Sequence, residues 1–221
     1  LETTSGTASA STFLRGDGTW NAPASGGFHQ LVVRSSTGSA TYSPASGVTK
    51  LIVIVQGAGG GGAGGTLAYS SSSGSAGGYA LKFLTGVAST DVMTVVVGAA
   101  GAGATGAAAG VAGGASQFVS VSGGLHPFTT VEGLGGGKGN ANTVADAGGD
   151  INIDGILAWG ASNPSLGSNS MFGFGGTRQN LTATGNAYSV GYGAGGIGGY
   201  SVADAQGRAG RDGLVMIWEY K

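Results

Sequence analysis

The chain has no cysteine. That removes disulfides, zinc–thiolate sites and cysteine nucleophiles together, and leaves stability to packing, backbone hydrogen bonds or self-association. Charge is also scarce: charged residues make up 9% of the 221 positions, against an ordinary share of about 25%. With a formal net charge of −1 and no cluster of Lys and Arg, the chain lacks the basic footprint that nucleic acid requires. No apolar run approaches the roughly 20 residues of a membrane-spanning helix, and no secretory signal core is seen, so no membrane insertion is expected. Proline occurs four times and Gly-X-Y is not sustained, which excludes collagen. Disordered chains are poor in apolar residues and rich in charge, whereas this one is 41% hydrophobic.

What is abundant is glycine, at 50 of the 221 residues. The stretch from Val48 to Gly65 shows how it is used. Leu51, Ile52, Val53, Ile54 and Val55 form a short apolar run rich in β-branched side chains, which suits a strand buried on both faces. Gly57 to Gly65 then contains seven glycines and two alanines, a tract with almost no side chain to bury, whose order must come from the backbone.

The same join recurs along the chain. Strands are predicted over Phe28–Arg34, Ala40–Ser43, Thr49–Gln56, Tyr79–Thr85, Val92–Val97, Ser116–Val121, Pro127–Val131 and Gly213–Tyr220, the first two joined as a hairpin through Ser35–Ser39. The expected fold class is all-β, an antiparallel sandwich-like scaffold. If successive strands are antiparallel neighbours, every second connection lies at the same end. The long glycine loops 57–78, 98–115 and 133–149 then gather at one end, which carries function, and the short turns at the other. In the second loop Gly98, Gly101, Ala104, Ala107, Gly110 and Gly113 recur every third position. Three residues per turn is the polyproline II period, so stacked polyglycine II-like helices are expected to satisfy one another's backbone groups.

Residues 1–27 read as a lead-in and trimerisation segment and 28–221 as the glycine-rich β domain. In the lead-in, Gly16 and Gly18 flank Asp17 between the apolar anchors Phe13, Leu14 and Trp20, a tight-turn pattern. Those anchors need a neighbour to cover them, and another copy of the chain can supply it. Beyond residue 155, aromatic residues enter a Ser/Gly/Asn background, as in loop-built binding surfaces where rigid rings give contact area at low entropic cost. The candidate receptor-binding residues are Tyr69, Trp159, Phe172, Phe174, Tyr188 and Tyr192.

Motifs that suggest chemistry have simpler readings. Gly57–Gly62 matches G-x-G-x-x-G, but no helix follows it and the next acid is Asp91, so a dinucleotide site is rejected. Asp146, Asp150 and Asp154 read as solvated loop acids, and His29 and His126 have no metal-ligand spacing. No catalytic residue, metal site or cofactor is expected, and the chain is read as a non-enzyme.

Three blocks carry a resemblance. Thr7–Trp20 resembles a short block found near the C-terminal regions of tailed-bacteriophage tail-fibre proteins. The stretch 48–65, with Gly77–Ala80 and Val95–Gly103, looks like the glycine-rich domain of phage tail fibres and receptor-binding tips, and Gly210–Tyr220 is similar to that domain's terminal strand. The resemblance implies a homotrimeric fibre tip on the virion that recognises a bacterial surface glycan or outer-membrane protein without catalysis. Two other readings are a structural or ice-binding polyglycine II protein, in which the aromatics are core, and a polysaccharide depolymerase using the loop acids.

Overall fold

The computed structural model describes residues 7, 9, 12–14, 16, 19–21, 26–65, 72–120, 128–138, 147–156, 166–176, 189–199 and 206–221. The described residues contain strands and no helix: β1 Phe13–Leu14, β2 Trp20–Asn21, β3 Phe28–Arg34, β4 Gly38–Tyr42, β5 Lys50–Gln56, β6 Tyr79–Thr85, β7 Met93–Val97, β8 Ser116–Ser120, β9 Val131–Gly133, β10 Ile151–Ile153, β11 Phe172–Phe174, β12 Val190–Tyr192 and β13 Leu214–Tyr220. In the lead-in, β1 and β2 pair antiparallel with Leu14 opposite Trp20; Asp17 and Gly18 of the expected turn lie outside the described residues.

Two antiparallel sheets stack. One has the order β10-β6-β5-β13-β3 and the other β4-β7-β8-β9. Period-two burial puts Leu51, Val53 and Val55 of β5 and Val215 and Ile217 of β13 against Met93, Val95 and Phe118 of the second sheet, all at most 2% exposed. The C-terminal strand lies between β5 and β3, so it ties the chain's end into the centre of the larger sheet. Its Glu219 is wholly buried and accepts hydrogen bonds from the Tyr42 hydroxyl at 2.7 Å and the Gln30 amide at 2.9 Å. Burial, and then the bond to Glu219, push the Tyr42 hydroxyl far above its ordinary pKa.

Two expectations are corrected. β3 and β4 do not form a hairpin, because β3 pairs with β13 and β4 with β7 in the other sheet. The short connection crosses between layers, so Tyr42 reaches the interior and meets Glu219. The strand expected over Pro127–Val131 begins only at Val131, and Phe128 instead stacks on Phe118 with ring centroids 5.4 Å apart.

The glycine tracts do not loop away from these strands; they continue them. An extended chain with three residues per turn has no internal hydrogen bonds, so each N–H and C=O must find an outside partner. Segment 57–65 finds them in rotation. Gly57, Gly60 and Ala63 donate to the carbonyls of Gly78, Ser75 and Ser72, Ala58, Gly61 and Gly64 to those of Gly114, Val111 and Ala108, and Gly59 and Gly62 to those of Arg211 and Arg208. The partner numbers fall as the donor numbers rise, so these three neighbours run antiparallel. The segment's own carbonyls accept from three further neighbours. Ala58 accepts from Gly136, Gly59 and Gly62 accept from Gly101 and Ala104, and Gly60 and Ala63 accept from Gly196 and Gly199. In the last two pairs donor and acceptor numbers rise together, so those neighbours run parallel.

Six segments therefore surround 57–65, and they also bond to one another in a closed ring. Around it run 72–78, 134–138, 108–115, 98–104, 206–213 and 193–199, each bonded to the next and the last to the first. The layers follow from the sheets. β6, β5 and β13 continue as the row 72–78, 57–65 and 206–213, and β9, β8 and β7 continue as the row 134–138, 108–115 and 98–104. Segment 193–199 adds a third row. The long connections thus gather at one end, as expected, in the form of a hexagonal bundle. The period of three is partly corrected: the loop 98–115 turns over at Gly106, whose φ is +59°, so its two arms are separate helices.

Candidate functional site

Beyond the bundle's outer row, β11 and β12 form a short ribbon that holds three of the six aromatic candidates. Phe172 stands opposite Tyr192, Gly173 opposite Gly191, and Phe174 opposite Val190. The triplets Phe172-Gly173-Phe174 and Val190-Gly191-Tyr192 alternate large residues with glycine, so the two large pairs fall on one face of the ribbon and the glycines on the other. Gly191 has φ +81°, and a side chain there would collide with the Phe172 carbonyl oxygen.

The ribbon is held by local polar contacts. The Ser170 hydroxyl donates to the Tyr192 carbonyl, and the Ser170 amide donates to the Gly173 carbonyl at 2.9 Å. The Gly175 amide donates to the Asn169 side-chain oxygen at 2.9 Å. On the inner side, Gly195 of the bundle donates to Ser168, and the Arg211 guanidinium donates to the Ser189 carbonyl. Phe172 is half-buried and rests on Tyr79 with centroids 6.1 Å apart, at the level where strand β6 begins. Burial raises the pKa of the Tyr79 hydroxyl.

Outward, Phe174 is 69% exposed, with Val190 and Met171 each more than half exposed. An open ring beside its apolar cross-strand neighbour Val190 can stack on the apolar face of a sugar or seat an apolar side chain of a partner. The structure thus brings Phe172, Phe174 and Tyr192 together: Phe174 faces solvent, while Phe172 and Tyr192 are half-buried supports. Tyr69, Trp159 and Tyr188 lie outside the described residues. Val190 was missed by a reading that scanned for aromatics. The signal that could have found Val190 is the matching pair of X-Gly-X triplets.

A second feature is the end of the bundle farthest from the sheets. Around Ala63 and Gly64 the backbone bonds bring Ser72, Ala104, Ala108, Gly199 and Gly207 together.

The motifs with chemical associations have structural partners. Each N–H from Gly57 to Gly62 is donated to a neighbouring carbonyl, so this glycine run offers no amides to a phosphate. Asp150 accepts from the Lys82 ammonium at 2.7 Å and from the Phe83 amide at 2.8 Å; these two bonds, the first the larger cause, hold its carboxyl below the ordinary value. Asp146 and His126 lie outside the described residues, and Asp154 and His29 are exposed. Among the described residues no group of three His, Asp or Glu side chains could hold a metal ion, and no helix is long and apolar enough to cross a membrane.

Compared with known protein families, the chain matches the family model of a glycine-rich domain over residues 34–220. Among curated proteins nothing matches.

Proposed function

The chain belongs to the glycine-rich domain family, and on that premise we propose that it is a non-enzymatic adhesin: the receptor-binding tip of a tailed-phage tail fibre, carried on the virion as a homotrimer and binding a bacterial surface glycan or outer-membrane protein. The observation that carries the proposal is the hexagonal bundle. It is a display platform whose order comes from the backbone, so the residues at its far end and on its flank are free to vary without cost to the core. Support also comes from the lead-in block 7–20 and the terminal strand, which resemble those of tail fibres, and from the exposed apolar ribbon face.

Adsorption to a panel of bacterial strains tests this. The Phe174 side chain is largely exposed and lies outside the core, so Phe174→Ala is expected to lower adsorption about tenfold or more, the loss of one anchoring ring, with thermal stability unchanged. Asp150→Asn is expected to leave adsorption intact. Wild-type protein that binds no strain, or a Phe174→Ala variant that binds as well as wild type, counts against the reading.

A structural or ice-binding role is a second reading, favoured by the exposed alanines Ala99, Ala102, Ala109 and Ala112 along segments 98–104 and 108–115 of the bundle. Inhibition of ice growth by protein that binds no cells would select it.

A further inference from the structure

The two sheets present outer faces of different chemistry. On the four-stranded sheet, the outer-face rows read Ser39, Val96, Gln117 and Glu132, and Thr41, Thr94 and Val119, a mixed face in which polar side chains outnumber the two half-buried valines. On the five-stranded sheet, one outer row reads Val33, Met216, Ile54, Leu81 and Ile151 across all five strands. The next reads Leu31, Trp218, Ile52 and Phe83. Neither row contains a charged or hydroxyl side chain.

We infer that this outer face, together with the free edge of β3, is the surface through which copies of this chain associate. Area is the first argument. Phe28, Leu31, Val33, Phe83, Ile151 and Ile153 are each 41–59% exposed. At about 150–250 Å² for a whole aromatic side chain and somewhat less for an aliphatic one, these six leave roughly 500 Å² open. The half-buried residues between them bring the face toward the roughly 800 Å² per partner of a standard interface, beyond the largest patch of an ordinary monomer.

The edge is the second argument. Among the described residues β3 pairs with β13 alone, so it is a seven-residue edge strand. Exposed edges are normally blunted by Lys, Pro, bulges or brevity; β3 has neither Lys nor Pro, and its one register shift falls at its start, between Phe28 and Gln30, leaving Gln30–Arg34 regular. Three of its residues also line the apolar face, so a neighbour seated there is placed to reach the edge. Chemistry of the partner is the third argument. Two rows without charge have nothing to complement a charged partner, whereas apolar, tightly packed surfaces are the mark of permanent association between subunits, and a net charge of −1 offers little repulsion between copies.

The inference rests on the proposed fibre tip only for its threefold stoichiometry, and it is tested without bacteria. Sedimentation of the full chain across the micromolar range is expected to show an oligomer. Leu31→Lys with Phe83→Lys, both at exposed positions, is expected to give a folded monomer, and Thr94→Lys on the opposite sheet is expected to leave the oligomer intact. As a second readout on wild-type protein, β3 amides are expected to exchange faster on dilution. A wild type that remains monomeric overturns the inference and assigns the face to a different protein or to this chain's own lead-in; so does a double variant that still assembles, or β3 exchange that ignores concentration. A monomeric variant that still adsorbs to bacteria separates this inference from the adhesin reading.

Discussion

A glycine in the central segment is fixed by the carbonyl oxygens of its neighbours. A methyl group on Gly59 would fall inside the contact distance of the Ala194 carbonyl oxygen, on Gly60 that of Gly137, and on Gly61 that of Ala102. Each of these oxygens belongs to backbone, which cannot move aside as a side chain can. Gly27 is the contrast: nothing stands within 4 Å of a side chain there, and its φ is not positive. Gly59→Val is therefore expected to destabilise the protein by about 3 kcal/mol or more, at or beyond the usual range for overpacking, while Gly27→Ala changes stability by less than about 0.5 kcal/mol. Thermal or denaturant unfolding of the two variants measures the difference. The prediction inverts the usual expectation for glycine, which weakens regular structure through its entropy. Here the missing side chain lets backbones approach closely enough to bond.

Among the elements, β10 is a three-residue strand at the rim of the large sheet, and it is held by more than its ladder to β6. Asp150, just before it, bridges to Lys82 and to the Phe83 amide on that strand. Because these bonds lower the Asp150 pKa in the folded state, they stabilise the protein fully above the unfolded value of about 3.9, and the contribution disappears as the pH falls through the lower folded value. Wild type is therefore expected to lose stability more steeply than Asp150→Asn as the pH falls below about 4, which a set of unfolding curves in acid checks. The elements were also the most legible level of the sequence. β3 and β6 have the bounds their apolar runs predict, and β5 and β13 begin one residue later than expected, because a β-branched run closed by glycine has few alternatives. Connectivity was less legible. Nothing in Ser35–Thr37 shows that the chain crosses between layers instead of turning back, since that depends on where Tyr42 and Glu219 meet in the interior. The period of three survives within each arm of 98–115 but addresses different neighbours: Gly98 and Gly101 face 108–115, whereas Gly110 and Gly113 face 57–65. Sequence periodicity shows that a close approach exists, and only the three-dimensional register shows to what.

For the whole molecule, the stretch 57–65 is the axis of the design. The sandwich buries the apolar side chains, and the bundle extends its two layers by a mechanism that needs almost none, adding a third row and a supported ribbon on its flank. The candidate recognition residues were legible only as composition: aromatics in a Ser/Gly/Asn background, of which Phe172, Phe174 and Tyr192 fall on one ribbon. Their division into one exposed ring and two supports depends on Tyr79, distant in the chain, which Phe172 rests on, and on the bond from the Ser170 hydroxyl to the Tyr192 carbonyl. All of this requires the glycine tract to be ordered by backbone bonds. Amide hydrogen exchange resolved over Gly57–Gly64 tests that requirement most directly. The account predicts protection close to that of the central strands β5 and β13, since each of these amides is donated to a neighbouring carbonyl, as the most stable units of a fold are protected. Exchange at the rate of an unstructured loop would contradict it.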